Sequence, residues 1–207
     1  MSTAPLASER DPLWSEPCLA YNLHVELDAA CRDDFAEVQG RLHRTCSGTL
    51  VCPPASLHVS VATILSVRRD YCTSKEVIWA RWGNRWLEGL REVVAGLQPF
   101  GVHFDKLAVS KAAVIAVAEP VPEIDLIRAR AKELVSLAGV NASQPSIVHC
   151  TLLRYGTSGL DLGDLARQAA GVDLSTKTVV TNVVVSRELV YPNLVNEVLQ
   201  RFHIGKG

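Results

Sequence analysis

The sequence predicts an α+β fold, with mostly antiparallel sheet and helices on the outer faces. Two observations predict it. Segments with the two-residue alternation of strands and segments with helical periodicity follow one another as strand–helix–strand, helix–strand–strand, helix–strand, helix–strand–strand. A stretch in the first third of the chain, "PASLHVS" (54–60), is echoed by "PSIVHCT" (145–151).

Taken in order, "CLAYNLHVEL" (18–27) alternates and is rich in β-formers, so it reads as a strand. Asp28 is placed to cap the helix that follows, whose apolar face is Phe35, Val38 and Leu42. "LHVSVATIL" (57–65) is the next strand. The polar loop "SVRRDYCTSK" leads into a helix over about 76–97. Its stripe of Trp79, Trp82, Trp86, Leu90, Val93 and Leu97 continues in aliphatic residues, which reads as a helix packed on a sheet rather than a base-stacking platform. Pro99 ends that helix. Strands at 100–110 and 112–120 follow, joined by a tight turn near Lys111. Pro122 opens the next helix, Ile124, Ile127, Ala131, Leu134 and Ala138 share its face, and Gly139 closes it. "SIVHCTLLRY" is a strand, a short helix spans about 161–170, and "TVVTNVVVSREL" and "NEVLQRFHI" are the last two strands.

The chain has 207 residues and a formal net charge of −1 from 21 basic and 22 acidic residues. That balance offers no basic excess for a long nucleic-acid backbone and favours a small anionic ligand, which one or two local cations can hold. No apolar run reaches the length of a membrane span, and the first residues lack the pattern of a secretory signal. Residues 1–17 read as a flexible lead-in and 18–207 as a single domain. The six cysteines include no C-x-x-C pair, so reduced thiols and a cytoplasmic location are expected.

In both echoed stretches Pro stands four residues before His, and a hydroxyl residue stands two after it. Residues i and i+2 of a strand share a face, about 7 Å apart. His58 therefore shares a face with Ser60, and His149 with Thr151, while Val59 and Cys150 point the other way. If the two stretches face one cleft, two imidazoles and two hydroxyls converge there. That set suits a phosphate: hydroxyls donate to its oxygens, and imidazoles titrating near pH 6.5 can be one neutral and one protonated. Zinc is disfavoured, because two histidines fall short of the usual ligand number. A Cys150 nucleophile is disfavoured because alternation turns the thiol away from His149.

H-x-[ST] twice in an α+β chain of this length resembles the two-histidine (2H) phosphoesterase superfamily, which includes RNA 2′,3′-cyclic phosphodiesterases, also called 2′-5′ RNA ligases. "HCTLLR" is similar to the second motif of the ligase-like branch, and the tail from "TVVTNVVVSREL" to "NEVLQRFHI" to that family's final hairpin. The resemblance spans about 18–204. It implies two pseudo-symmetric lobes around a central cleft, His58 and His149 as an acid–base pair, Ser60 and Thr151 as phosphate binders, and no metal or cofactor. The first motif departs in having Ser where Thr is common. The implied substrate is a small nucleotide or short oligonucleotide with a cyclic or 2′-5′ phosphodiester, and the expected protein is a monomer without a membrane partner. Two other readings stay open: a nucleotide-binding module without turnover, and an enzyme of this type acting on a specialised small phosphoester.

Around this set, Arg154 lies an odd number of residues past Thr151. It falls on the opposite face of a regular strand, though strand ends twist, so both phosphate contact and solvation stay open. Arg68, Arg69 and Tyr71 sit in the loop after the first motif and can cover the groove or stay solvated. His24, His43, His103 and His203 lack the paired pattern and read as structural, although His24 in the first strand can reach the groove.

Overall fold

Nine strands of the computed structural model, which describes residues 7–205, form one curled antiparallel sheet flanked by four helices. The strands are β1 (Pro17–Glu26), β2 (Thr49–Val51), β3 (His58–Leu65), β4 (Phe100–Val109), β5 (Ala113–Ala118), β6 (His149–Tyr155), β7 (Thr176–Val180), β8 (Asn182–Val190) and β9 (Val195–His203). The sheet runs β7-β4-β5-β6-β3-β1-β8-β9, with β2 alongside β6. The helices are α1 (Ala29–Thr45), α2 (Lys75–Ala95), α3 (Pro122–Ser136) and α4 (Gly163–Ala170). Helices α1 and α4 back the half built from β4 to β7, while α2 and α3 back β3 and β9 in the other half. The two halves meet where β3 lies beside β6, in register at Val59 opposite Cys150.

Local chemistry sets the element ends. The Asp28 carboxylate accepts from Cys31 N–H at 2.8 Å, capping α1 as expected. Gly139 closes the α3 segment at φ 72°, a conformation open to glycine at little cost. The aromatic stripe of α2 is structural: the Trp86 indole N–H donates to the Leu134 carbonyl of α3, and Trp79 stacks on Tyr21 with centroids 4.4 Å apart. Phe35 meets Phe104 edge-on, tying α1 to β4.

Two expectations change. The run 178–189 is not one strand: β7 ends at Val180, β8 begins at Asn182, and only Thr181 lies between them. Because β7 is an edge strand beside β4 and β8 lies between β1 and β9, one residue links strands far apart in the sheet order. Two peptide steps reach only a few ångströms, so the sheet must curl. The lead-in expected at 1–17 is packed over its described part. Ala7 bridges Asp161, Asp11 N–H donates to the Tyr155 carbonyl, and Glu16 accepts from Tyr191 N–H.

The motif strands carry matching irregularities. Against β1, β3 pairs Leu23 with Ala62 and His24 with Ser60, which leaves Val61 as an extra residue. Against β5, β6 pairs Val114 with Leu153 and Ile115 with Thr151, which leaves Leu152 extra. Both bulges fall three residues after the motif histidine. A bulge restarts the alternation of faces. The helix preceding each motif strand bonds the bulge of the other one: Arg128 Nε of α3 donates to the Val61 carbonyl of β3 at 3.3 Å, and Gln39 Nε2 of α1 to the Leu152 carbonyl of β6 and to the Cys52 carbonyl, each at 2.7 Å. Both side chains are buried, so these bonds form out of water, where a missing partner is costly.

Candidate active site

Where β3 and β6 run side by side, a cavity of about 170 Å³ opens on the face away from the helices. His58, Ser60, His149 and Thr151 all line it. With Val59 opposite Cys150 in an antiparallel pair, each histidine lies across from the other strand's hydroxyl residue. Val59 and Cys150 are fully buried on the other side, and burial pushes the Cys150 thiol well above its ordinary range, which removes it as a thiolate nucleophile.

Each imidazole is oriented the same way. His58 Nδ1–H donates to the Ser56 carbonyl at 2.7 Å, and His149 Nδ1–H to the Ile147 carbonyl at 3.4 Å. A carbonyl can only accept, so Nδ1 carries the proton and Nε2 is the free nitrogen of each neutral ring. His58 Nε2 meets the Ser60 hydroxyl at 3.1 Å. Burial lowers both pKa values; the other imidazole and Arg154 add repulsion at His58, and Arg128 and Arg154 do so at His149. Arg128 Nη2 also donates to the Ile147 carbonyl, so one guanidinium of α3 holds both the β3 bulge and the acceptor of His149.

The bulges decide which further residues reach the cavity. Past Val61 and Leu152 the alternation resumes one residue late, and Thr63 and Arg154, each five residues after its histidine, line the cavity. Arg154 is thus on the groove side, which regular alternation does not give. Its Nη1 donates to the buried Asp11 carboxylate at 2.9 Å, and its Nε is buried without a partner among the described residues. Arg68 reaches the same Asp11 at 3.3 Å and donates to the Tyr191 hydroxyl at 3.1 Å. Arg68 borders an adjoining hollow that shares Arg154 and Tyr191 with the cavity. Arg69 and Tyr71 lie elsewhere. They line a separate hollow of about 490 Å³ against α2, where Arg69 donates to the Asn141 carbonyl and the Tyr71 hydroxyl accepts from Ser66 N–H.

Long-range pairing adds residues that local spacing does not reveal. Asn22 of β1, Glu188 of β8, and Tyr191 and Asn193 of the following turn complete the wall. His24 lies opposite Ser60 in the register, and its ring is 4.9 Å from that of His58. Burial holds it well below the usual histidine range, helped by the nearby His58 and Arg201. It is a neutral buttress behind the cavity, not part of its lining. The corresponding partner of Thr151 in the other half is Ile115. One signal for the missed groove residues was present: aligning "LHVSVAT" with "VHCTLLR" places Thr63 and Arg154 at one offset. Among the described residues no group of three or more His, Cys, Asp or Glu side chains is placed to hold a metal ion, and no helix is long and apolar enough to cross a membrane.

No family model matches the sequence, and no curated protein matches it. Solved structures do. TT0787 of Thermus thermophilus superposes with a TM-score of 0.65 at 18% identity, covering 89% of this chain and 97% of that one. A crystal structure described as a phosphoesterase gives 0.65 at 13%, covering 90% and 98%. LigT of E. coli complexed with 3′-AMP gives 0.63 at 12%, covering 90% and 98%. The α+β architecture is therefore the fold of LigT and TT0787, shared along nearly the whole chain.

Proposed function

We propose that the chain is a metal-independent phosphodiesterase of the two-histidine type, acting on a cyclic or 2′-5′ phosphodiester of a nucleotide or short oligonucleotide. One observation carries the reading. Two imidazoles on adjacent strands are each pinned through Nδ1 to the carbonyl two residues upstream, with a hydroxyl two residues downstream, around one small cavity. Binding alone does not need two proton-transfer groups presented alike. The shared fold with LigT, which has been crystallised with 3′-AMP and with phosphate, supports the same reading.

In this mechanism the Ser60 and Thr151 hydroxyls and the Arg154 guanidinium bind the nonbridging phosphate oxygens. His58 is the base, because burial and the nearby His149 and Arg154 disfavour its charged form, and its Nδ1–H bond to the Ser56 carbonyl leaves the lone pair on Nε2. It takes a proton from water as the water oxygen bonds to phosphorus. The bond from phosphorus to the leaving oxygen breaks, and protonated His149 delivers its Nε2 proton to that oxygen. Each proton transfer is worth about 10²–10⁴-fold in rate.

The test is a panel of 2′,3′-cyclic nucleotides, 2′-5′ dinucleotides and small non-nucleotide phosphodiesters, assayed with and without a chelator. Turnover that survives chelation supports the mechanism, and loss with chelator contradicts it. Tight nucleotide binding with no turnover anywhere on the panel supports a binding module instead.

A further inference from the structure

The cavity wall is chemically two-sided. Donors and proton-transfer groups, His58, Ser60, His149, Thr151 and Arg154, come from β3 and β6. The wall contributed by β8 and its turn carries acceptors. Glu188 is 4% exposed and lines the cavity. Its Oε1 accepts from Asn193 N–H at 2.6 Å and its Oε2 from the Asn22 amide at 2.8 Å. Two bonds fix the carboxylate but leave part of its accepting capacity, about four sites, unused. Asn193 is 6% exposed, and its side-chain oxygen is buried with no partner among the described residues. Arg154, which also lines the cavity, has its Nε buried as a donor with no partner among the described residues.

Buried polar groups without partners are costly, and a ligand can supply the missing bonds. A ligand that satisfies this cavity presents anionic oxygens to the donor wall and a hydrogen-bond donor to the acceptor wall. A second anionic group is excluded from the acceptor side. Asp11 is engaged by both Arg154 and Arg68, so the negative group that lines the acceptor side of the cavity is the Glu188 carboxylate. The cavity is small, about 170 Å³, so phosphate and donor must lie within a few ångströms of each other.

We propose that Glu188, assisted by Asn193, is a specificity-determining residue that accepts a hydrogen bond from a substrate hydroxyl on the carbon next to the esterified one. The substrate class is then a phosphodiester with a free vicinal hydroxyl, as in a 2′-5′ linkage with its 3′-hydroxyl free. A 2′,3′-cyclic phosphate, in which both oxygens are esterified, lacks that group. The proposal rests on the phosphodiesterase reading of the same cavity and names the member of the substrate set that the cavity fits.

The experiment compares a 2′-5′ diadenosine phosphate carrying the 3′-hydroxyl with its 3′-deoxy analogue, on the wild-type protein and on Glu188→Gln. The wild type is expected to favour the hydroxyl substrate by about 10- to 100-fold in kcat/KM, the range for a hydrogen bond to a charged acceptor. Glu188→Gln is expected to reduce that ratio to near one, mostly through KM. Equal handling of the two substrates by the wild type, or an unchanged ratio in the variant, overturns the proposal. Calorimetric binding of both compounds runs in parallel, so the preference is read even where turnover is absent; turnover failure then counts against the enzyme reading alone. Should Glu188→Gln fail to melt cooperatively, Asn193→Ala provides the second reading, with a reduced ratio expected and an unchanged one contradictory.

Discussion

The two imidazoles share a bonding pattern but not an environment. His58 makes the shorter Nδ1 bond, 2.7 Å against 3.4 Å, and has His24, the residue opposite Ser60, packed beside it, where the residue opposite Thr151 is Ile115. Burial depresses both pKa values below 6.5. The proposed reaction needs one ring neutral, so pH must exceed its pKa, and the other protonated, so pH must lie below its pKa. With both depressed, kcat/KM, which reports the free protein, is expected to peak below pH 6.5. A bound phosphodiester anion favours imidazolium, so the kcat profile is expected to lie at higher pH. A pair of pH–rate profiles checks both, and a kcat/KM optimum above pH 7 is the contrary outcome. At this scale the sequence was partly legible. His58 and His149 declared themselves through the repeated spacing. Arg154 did not, because its face depends on the bulge at Leu152, and nothing in strand alternation announces an extra residue. Arg69 and Tyr71 are near His58 in sequence, but the loop carries them to another hollow.

Among the elements, helix α1 and helix α3 play matching parts. Each precedes one motif strand and places one buried polar side chain on the bulge carbonyl of the other, Gln39 of α1 on Leu152 of β6 and Arg128 of α3 on Val61 of β3, so each ties the two halves together. Replacing Gln39 with Leu leaves the Cys52 carbonyl without that donor and weakens the hold on Leu152. A loss of about 1–3 kcal/mol is expected, the cost of orphaning a buried polar group, measured by urea unfolding. A Gln39→Leu protein as stable as wild type contradicts this role. The pairing of β1 with β8 brings Asn22 to Glu188, residues that lie at opposite ends of the chain. Local periodicity finds the strands but carries no information about which strand lies beside which. The same limit hid β2, only three residues long, and the break at Thr181.

For the whole molecule, the curled sheet joins two similar halves at one register pair and places three histidines with lowered pKa values, His24, His58 and His149, at or beside that junction. A histidine whose folded pKa lies below its unfolded value binds more protons unfolded than folded. Its stabilising contribution is present above about pH 6.5 and is lost as pH falls toward the folded value. Melting temperature is therefore expected to drop as pH is lowered from 7.5 to 5. Replacing the buried His24 with Phe, which keeps a ring against His58, is expected to flatten that dependence. An unchanged slope in His24→Phe contradicts the assignment of His24 as a neutral buttress.

The central claim, that His58 and His149 jointly move protons at one phosphodiester, is tested most directly by kcat for His58→Gln, His149→Gln and the double variant on the best substrate of the panel, with folding confirmed by melting. Each single variant is expected to lose about 10²–10⁴-fold. The double variant is expected to lose far less than the product of the two single losses, as for groups acting as a unit. A folded single variant that keeps wild-type kcat contradicts the claim.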